Sequence, residues 1–599
     1  MKIDFNKRLE NHKIHYKNLE KEAEKFSLFR TISMILCLGT LIYAINSRIV
    51  FLVVAIAFVS FIFFVIKHTK IKYNLQKLQH KINFNEKILQ RKNGDWHNFD
   101  IVKEIFLEES EHINNKQNSE DIIKLHAYAK DIDIFGKNSL YQFINETNTY
   151  YGRGMLTEIL LTRNDVHTVT ARQEAVKELA LKIDFCEEVV ALAKLENISN
   201  DPKELINYFN SKDNIRRKLK YIYFLTIAFV TSAIINIIFP SNEMANIAIT
   251  LLLLQGIIFC VFLPKTSYAL KSLYSVNRGV NSFYKIILTI ENEEFSSPLL
   301  KTIHASLTGA STFIRKISII ENLAGFRRNF IFFGLLNFLF LWDIQLVVAL
   351  EKLKEHGDNK ENNLNNWLRS VGFIETLISA STVAQAHPNW TLPTITNNNK
   401  FQATDIGHPL LHNPVTNNYS QHGISIITGS NMSGKTTLLR SIGVNLVLAN
   451  IGSVVNATTL IAPVSRIFTC MRTTDSLTEN ISTFYGELLR IKLIIDESKH
   501  NTPMIFLIDE IFRGTNSEDR IQGAKTVLRQ LNKPHIIGLI TTHDLAICEI
   551  ATEGNKYKNY NFKEYYENNE IKFDYKIREG ISQTRNAKYL MKMVGIEDD

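Results

Sequence analysis

The sequence predicts a chain in two parts. A mostly α-helical region carrying two apolar helical hairpins precedes a C-terminal α/β domain built round a phosphate-binding loop. Three observations predict this. Residues 429–436 match G-x-x-x-x-G-K-[ST] with every constrained position filled. Two later apolar runs end in Asp509-Glu510 and in Thr541-Thr542-His543. Four apolar runs, nearly free of charge, stand as two tight pairs earlier in the chain.

From the N-terminus, residues 1–120 read as a charged helix, a first hairpin at about 28–66, and a Lys/Gln/Asn-rich helical segment. Thr31 to Ile45 and Ile49 to Ile66 are separated by Asn46-Ser47-Arg48 alone. Residues 121–395 read as a helical core with a second hairpin inserted at about 221–263, where Tyr221–Phe239 and Ala245–Leu263 flank a short polar turn. A spanning helix needs roughly 17 to 25 apolar residues. The last three runs reach that length, and the first does if Leu28 is counted and Arg30 snorkels. The bland alternative is a set of core helices, but four uncharged runs in two tight hairpins favour membrane spans.

Charge orients them. Lys17, Lys21, Lys25 and Arg30 precede the first hairpin, and Lys67, Lys70 and Lys72 follow it. Arg216, Arg217, Lys218 and Lys220 precede the second, with Lys265 and Lys271 after it, whereas Arg48 is the one positive residue in the far-side loops. The positive-inside rule then places both termini and the C-terminal domain in the cytoplasm, in a multi-pass protein of the inner (cytoplasmic) membrane. Phe330 to Leu341 is too short to span and reads as a core helix. Lys352 to Asn366 reads as an exposed turn, and Pro388 to Asn399 as a linker.

The α/β domain fills 400–599. Gly423 to Thr428 reads as a buried strand entering the loop, and Thr437 onward as a helix leaving it. In such a P-loop the backbone N–H groups of Gly429, Ser430, Asn431, Met432, Ser433 and Gly434 wrap phosphate oxygens at the positive end of a helix. Lys435 reaches the β/γ-phosphates of ATP, and the Thr436 hydroxyl holds Mg²⁺ beside Thr437. Met504 to Ile508 is an apolar strand delivering Asp509 to the Mg²⁺ shell and Glu510 to the attacking water. A third strand, Ile536 to Thr542, ends at His543, where it can sense the γ-phosphate.

The chain has 599 residues, 22% charged and 45% hydrophobic, with net charge +9, compatible with a polyanion or a membrane surface. Five cysteines with no C-x-x-C pair argue against a zinc site or a disulfide framework. The first thirty residues are too charged to read as a signal peptide.

The motifs resemble those of the MutS mismatch-repair ATPases, relatives of the ABC-type ATPases. Gly429 to Thr437 is similar to that family's G-P-N-M-x-G-K-S-T, Asp509 to Ser517 to its D-E-[IL]-G-R-G-T-S-T, and Asp475 to Glu487 to its D-x-L-x-x-x-x-S-T-F-x-x-E segment. Gly407-His408-Pro409-Leu410 resembles the opening of its ATPase domain, with Val415 and Asn417 or Asn418 near the adenine contact. Asp131 to Gly136, Leu140 to Arg153 and Arg172 to Leu179 resemble its helical core and lever, and Tyr575 to Ala587 its closing strand and helix. Two departures stand out: Phe512 replaces a glycine, and His543-Asp544 is closer to the ABC-type T-H-D.

The resemblance implies a P-loop (ABC-type) ATPase domain on a MutS-like helical core/lever domain, acting as a homodimer. Ser482 and Thr483 would touch the nucleotide of the other subunit, and mismatched or branched duplex DNA would be the partner. The family's mismatch-reading module, with its Phe-x-Glu wedge, has no counterpart before Asp131 beyond two chance-grade matches at Phe84-Asn85-Glu86 and Phe106-Leu107-Glu108. Three readings therefore stand: a membrane-anchored DNA-binding ATPase, a nucleotide-gated membrane scaffold for protein partners, and an ABC-like transporter. Four spans, short far-side loops and the S-T-F segment count against the last.

Overall fold

A computed structural model describes residues 4–43, 48–101, 126–195, 200–211, 222–274, 279–357, 363–471, 483–512, 516–567 and 570–582. The chain begins with two long helices, α1 (Phe5–Tyr43) and α2 (Arg48–Asn93). They run antiparallel, so that Lys13 pairs with Glu86 (2.8 Å) and Arg30 meets His68. Their inner ends dock on the helical core through charge, not apolar contact alone. Arg8 pairs with Asp184 (2.6 Å), Lys77 and Lys81 with Glu188 (2.9 and 2.7 Å), and Asn85 donates to Glu187 (2.9 Å).

The core continues as α3 (Leu140–Ile144), α4 (Tyr150–Leu161), α5 (Val166–Leu181), α6 (Ile183–Leu195) and α7 (Lys203–Asn210). Starts are set by N-caps: Ser139, Thr149 and Asp165 each accept a hydrogen bond from a backbone N–H three residues on. An apolar hairpin follows, α8 (Ile222–Ile238) and α9 (Asn242–Tyr274), then α10 (Val280–Glu291), α11 (Pro298–Leu307), α12 (Ala310–Ala324), α13 (Phe330–Phe340), α14 (Trp342–Gly357) and α15 (Asn363–Ala386). The last is the central helix, packed on α2, α4 and α5.

Among the described residues, two helices are long and apolar enough to cross a membrane, at Val53–Asn93 and Asn242–Leu273, while α8 is a shorter apolar helix. Large apolar side chains on them face outward, among them Val59, Phe63, Ile237, Leu253 and Val261. The expected turn of the first hairpin, the residues leading into α8, and Phe106 to Glu108 lie outside the described residues. The other F-x-E match is a core contact: Phe84 and Asn85 are fully buried in α2.

Two expectations are corrected. Phe330 to Phe340 forms a helix as read, but it is not a core helix, because most of its large apolar side chains, among them Phe330, Ile331, Leu335 and Phe338, are exposed, while Leu341 just past its end is buried. The stretch read as a linker contains β1 (Thr394–Thr396), whose partner lies more than sixty residues later and so left no local sign in the sequence.

The C-terminal part holds two sheets. A four-stranded one has the order β1-β5-β2-β3, with β2 (Phe401–Ile406), β3 (Asn417–Gln421) and β5 (Thr459–Pro463). A six-stranded one has the order β10-β9-β4-β8-β7-β6, comprising β4 (Ile424–Thr428), β6 (Arg466–Cys470), β7 (Met504–Asp509), β8 (Ile536–Thr542), β9 (Tyr557–Glu567) and β10 (Glu570–Glu579). All its pairings are parallel except β9 with β10. Helices α16 (Lys435–Asn450), α17 (Thr483–Glu497) and α18 (Ser517–Leu531) complete the domain.

Strand periodicity divides the core. Ile427, Ile505, Leu507 and Leu539 join one cluster with Ile132, Leu140 and the helical core, while Ile424, Ile426, Phe506, Ile508 and Ile540 pack against Leu528 and Ile547 on the other face. Both faces are covered, which is why these strands read as unbroken apolar runs.

Candidate active site

Strand order decides where chemistry can occur. β8 lies between β4 and β7, so three neighbouring parallel strands end together, and their carboxyl ends open onto one crevice. β4 delivers the loop 429–434, β7 delivers Asp509 and Glu510, and β8 delivers Thr541, Thr542 and His543.

The loop needs its glycines for space. A Cβ on Gly429 would lie 2.9 Å from Ser433 Oγ and 3.0 Å from the Phe562 carbonyl, and Gly434 has φ 105° under the Tyr575 ring. Lys435 is buried, with Nζ donating to the carbonyls of Gly429 (2.7 Å) and Ser430 (2.8 Å), which curls the loop over the start of α16. Asn431 and Met432 are exposed at the crown, Met432 with φ 66°, and Thr437 is exposed on the first turn.

Thr436 Oγ1 donates to Asp509 Oδ2 at 2.8 Å. The other carboxylate oxygen, Oδ1, accepts from Thr541 Oγ1 at 2.5 Å. Glu510 has φ 55°, and its N–H donates to both the carbonyl (3.1 Å) and the hydroxyl (3.0 Å) of Thr541. Its Oε1 is 2.9 Å from His543 Nε2. Asp544 is clamped by two bonds from Arg520, at 2.5 and 3.1 Å, which fixes the chain just past His543.

Lys435, Thr436, Asp509, Glu510 and His543, all picked from sequence, are thus brought to one place. Ser482 lies outside the described residues, and Thr483 opens α17 with no side-chain position described. Asn417 is occupied structurally: its side chain donates to the Tyr575 carbonyl (3.0 Å) and accepts from Ile577 N (2.8 Å). Asn418 accepts from Asp405 N at 2.8 Å.

Four further residues, to which the sequence assigns no role of their own, shape the site. Thr541 bridges Asp509 and Glu510, and a hydroxyl inside an otherwise apolar strand was its sequence signal. Glu487, the last residue of the S-T-F segment, is buried and accepts from Phe512 N, joining that segment to the end of β7. Phe512 itself sits at φ 60° and is held by Gly523 and by the Phe484 ring at 6.2 Å, so packing substitutes for the freedom a glycine would give. Glu564 accepts from Ser430 Oγ at 2.7 Å, tying the loop to β9.

The residues fit a nucleotide with one divalent cation. Ser433 Oγ is buried with no hydrogen-bond partner among the described residues, and the first-turn N–H groups of α16 lack intrahelical acceptors. One hydroxyl and one carboxylate side by side match a hard cation that keeps most of its water. Among the described residues, no group of three or more His, Cys, Asp or Glu is placed to hold a metal ion.

Comparison with known proteins agrees with this architecture. The family model for MutS domain V matches residues 425–598, a segment holding all three strand ends. The chain carries a MutS-family domain over those residues. It is 30% identical over 243 residues to the DNA mismatch repair protein MutS of Clostridioides difficile, covering 39% of this chain and 25% of that one. It is 28% identical over 244 residues to Endonuclease MutS2 of Streptococcus pyogenes, covering 39% of this chain and 30% of that protein. Against MutS protein homolog 4 of Mus musculus it is 34% identical over 194 residues, covering 30% and 20%. The matched segment therefore spans less than a third of each of these MutS relatives.

Proposed function

We propose that this chain is a membrane-anchored MutS-family ATPase that binds ATP with Mg²⁺, dimerises across its nucleotide sites, and uses the cycle to hold and release mismatched or branched duplex DNA near the cytoplasmic face of the inner membrane. The observation that carries the ATPase reading is the convergence of Lys435, Thr436, Asp509, Glu510 and His543 at three adjacent strand ends.

In this reading the loop N–H groups and Lys435 bind the phosphates, and Thr436 with Asp509 holds the cation. Mg²⁺, when bound, supplies positive charge to the β- and γ-phosphate oxygens. Thr541 keeps the Asp509 carboxylate turned toward Thr436. Glu510, fixed through its backbone by Thr541 and through its side chain by His543, orients a water and takes its proton. Glu487 ties the end of the S-T-F segment to the residues just past β7, and Ser482 and Thr483 of a second subunit would close over the nucleotide.

Support for DNA comes from the family and from the net charge of +9, since phosphate contacts dominate such binding. Support for the membrane comes from the two long apolar helices with outward-facing side chains.

The test is ATP binding and turnover by detergent-purified protein, with and without mismatched, branched and plain duplex. Lys435→Ala is expected to lose nucleotide binding. Glu510→Gln is expected to bind ATP normally while turnover falls by about 10²–10⁴-fold, the usual worth of a positioned base. Parental turnover in the Gln variant refutes the role given to Glu510.

A further inference from the structure

Helix α13 has the sequence FIFFGLLNFLF and turns it outward. Phe330 is 86% exposed, Ile331 73% and Leu335 52%. Its one polar side chain, Asn337, is fully buried: Nδ2 donates to the Phe333 carbonyl (3.0 Å) and Oδ1 accepts from Asp343 N (2.9 Å). A helix facing water does the opposite, placing polar groups outside and apolar ones within. A cluster of exposed aromatic and aliphatic side chains this dense marks a contact with something apolar.

What it contacts follows from where it sits. The Phe338 ring lies 3.2 Å from where a Cβ on Gly256 would be, and the Phe333 and Phe338 rings are 5.7 and 6.2 Å from the ring of Phe259. Gly256 and Phe259 belong to α9, seven and four residues before Leu263, after which Pro264 and Lys265 end the apolar run. At 1.5 Å per residue, α13 crosses α9 about 6 to 11 Å inside that boundary. Helices that lie in a membrane interface bury to about 5–10 Å. The outer face of α9 at this level, including Leu253 and Ile257, is exposed and apolar, so the two surfaces are continuous.

The chain enters and leaves α13 on one side. Arg327, two residues before the capping Asn329, pairs with Asp343 (2.9 Å) just past the helix and donates to Ser267 (2.9 Å) on the polar end of α9. At Leu341 the backbone turns left-handed and the chain bends by 75°. α14 then runs into the protein: Ile344, Val347 and Leu350 are fully buried, and Glu351 accepts from Tyr208 at 2.6 Å. A helix so covered by protein cannot be the second half of a span.

We propose that α13 is a third membrane element, a helix that does not cross but lies among lipid acyl chains of the near leaflet, packed on α9. This rests on the membrane reading of α9 given above, and the test separates the two. Single cysteines are introduced at Leu253, Ile331, Leu335 and Lys316 in full-length protein with Cys37 and Cys260 changed to Ser, spin-labelled, and reconstituted into phosphatidylcholine/phosphatidylglycerol vesicles. Collision with oxygen, which favours lipid, is compared with collision with a water-soluble nickel chelate. The oxygen-to-nickel ratio is expected to be several-fold higher at Ile331 and Leu335 than at Lys316 on the surface of α12, and to indicate a shallower depth than at Leu253. Nickel access at Ile331 and Leu335 with Leu253 in lipid overturns the proposal and leaves the α8–α9 anchor intact. Nickel access at Leu253 overturns the anchor and the proposal with it. Shielding of Ile331 and Leu335 from both reagents shows that protein, a second copy included, covers the helix, and also overturns it.

Discussion

Thr541→Val tests the site at the atom that holds it together. Thr541 is fully buried, and its hydroxyl donates to Asp509 Oδ1 at 2.5 Å while accepting from Glu510 N at 3.0 Å. Valine keeps the shape and removes the hydroxyl. Glu510 N retains the Thr541 carbonyl at 3.1 Å, so the net loss is the single charge-assisted bond to Asp509. Such a bond contributes about 1.5–3 kcal/mol, or roughly 10- to 150-fold in an equilibrium at about 1.4 kcal/mol per decade. Loss of a partner that orients a metal-holding carboxylate typically costs about 10–100-fold in affinity, which overlaps this range. The assay is Mg²⁺-dependent binding of a fluorescent ATP analogue. The Mg²⁺ midpoint is expected to rise about 10- to 100-fold in Thr541→Val, while Thr541→Ser, which keeps the hydroxyl, stays near the parent. A folded Val variant with the parental midpoint refutes the claim that Thr541 positions Asp509.

Three further outcomes are expected. Ser482→Arg and Lys435→Ala are each expected to be inactive alone, but mixed subunits should recover toward one working site per dimer; no recovery in mixtures shown to exchange argues against composite sites. The protein should resist alkaline carbonate extraction, and a cysteine at Ser241, in the turn between α8 and α9, should label only from outside the cell; labelling only from inside refutes the topology. Glu146 is fully buried, and although burial alone would raise its pKa, Lys87, Arg91 (2.6 Å) and Lys194 outweigh that and hold it at about 2. Because the folded pKa lies below the ordinary 4.5, this stabilisation is present above about pH 4.5 and is lost as pH falls toward 2. Glu146→Ala leaves Arg91 buried without its counter-ion and should destabilise the helical core by about 3–5 kcal/mol, seen as a lower melting temperature at pH 7 that converges with the parent in acid.

The C-terminal domain was legible because its signals are local. A P-loop, an apolar strand ending in two acids and another ending in Thr-Thr-His each declare themselves in a few residues, and parallel strands buried on both faces read as unbroken apolar runs. What orients those groups is not local. Thr541 meets Asp509 only because β7 and β8 are in register, Glu487 reaches Phe512 across 25 residues, and Tyr575 comes over Gly434 from the far end of the domain. Helix α13 shows the opposite failure. Its length and composition were read correctly, but apolar content alone cannot separate a helix buried in protein from one facing outward, and only the inward turn of Asn337 makes the distinction.

Specific polar contacts link the helix that follows the glycine loop to α2 of the first apolar hairpin. Arg440, on the first turns of α16, pairs with Asp133 at 3.2 Å. Asp131, two residues away, accepts from Thr469 Oγ1 (2.7 Å) and Met471 N (3.1 Å) at the end of β6, the strand beside β7. That short segment leads directly into α3, whose Phe143 carbonyl accepts from Arg91 at 2.6 Å, with Glu146 just beyond. Arg91 lies near the end of α2, an uninterrupted helix of 46 residues and therefore about 69 Å long. α16 is thus joined to Asp133 by a charge pair, and the segment that follows Asp133 is joined to the base of α2 by a buried one. α2 is continuous from that base to its apolar end, with no proline or glycine between Arg48 and Asn93 to kink it. The Glu146–Arg91 pair, fully buried, sits at the foot of that helix.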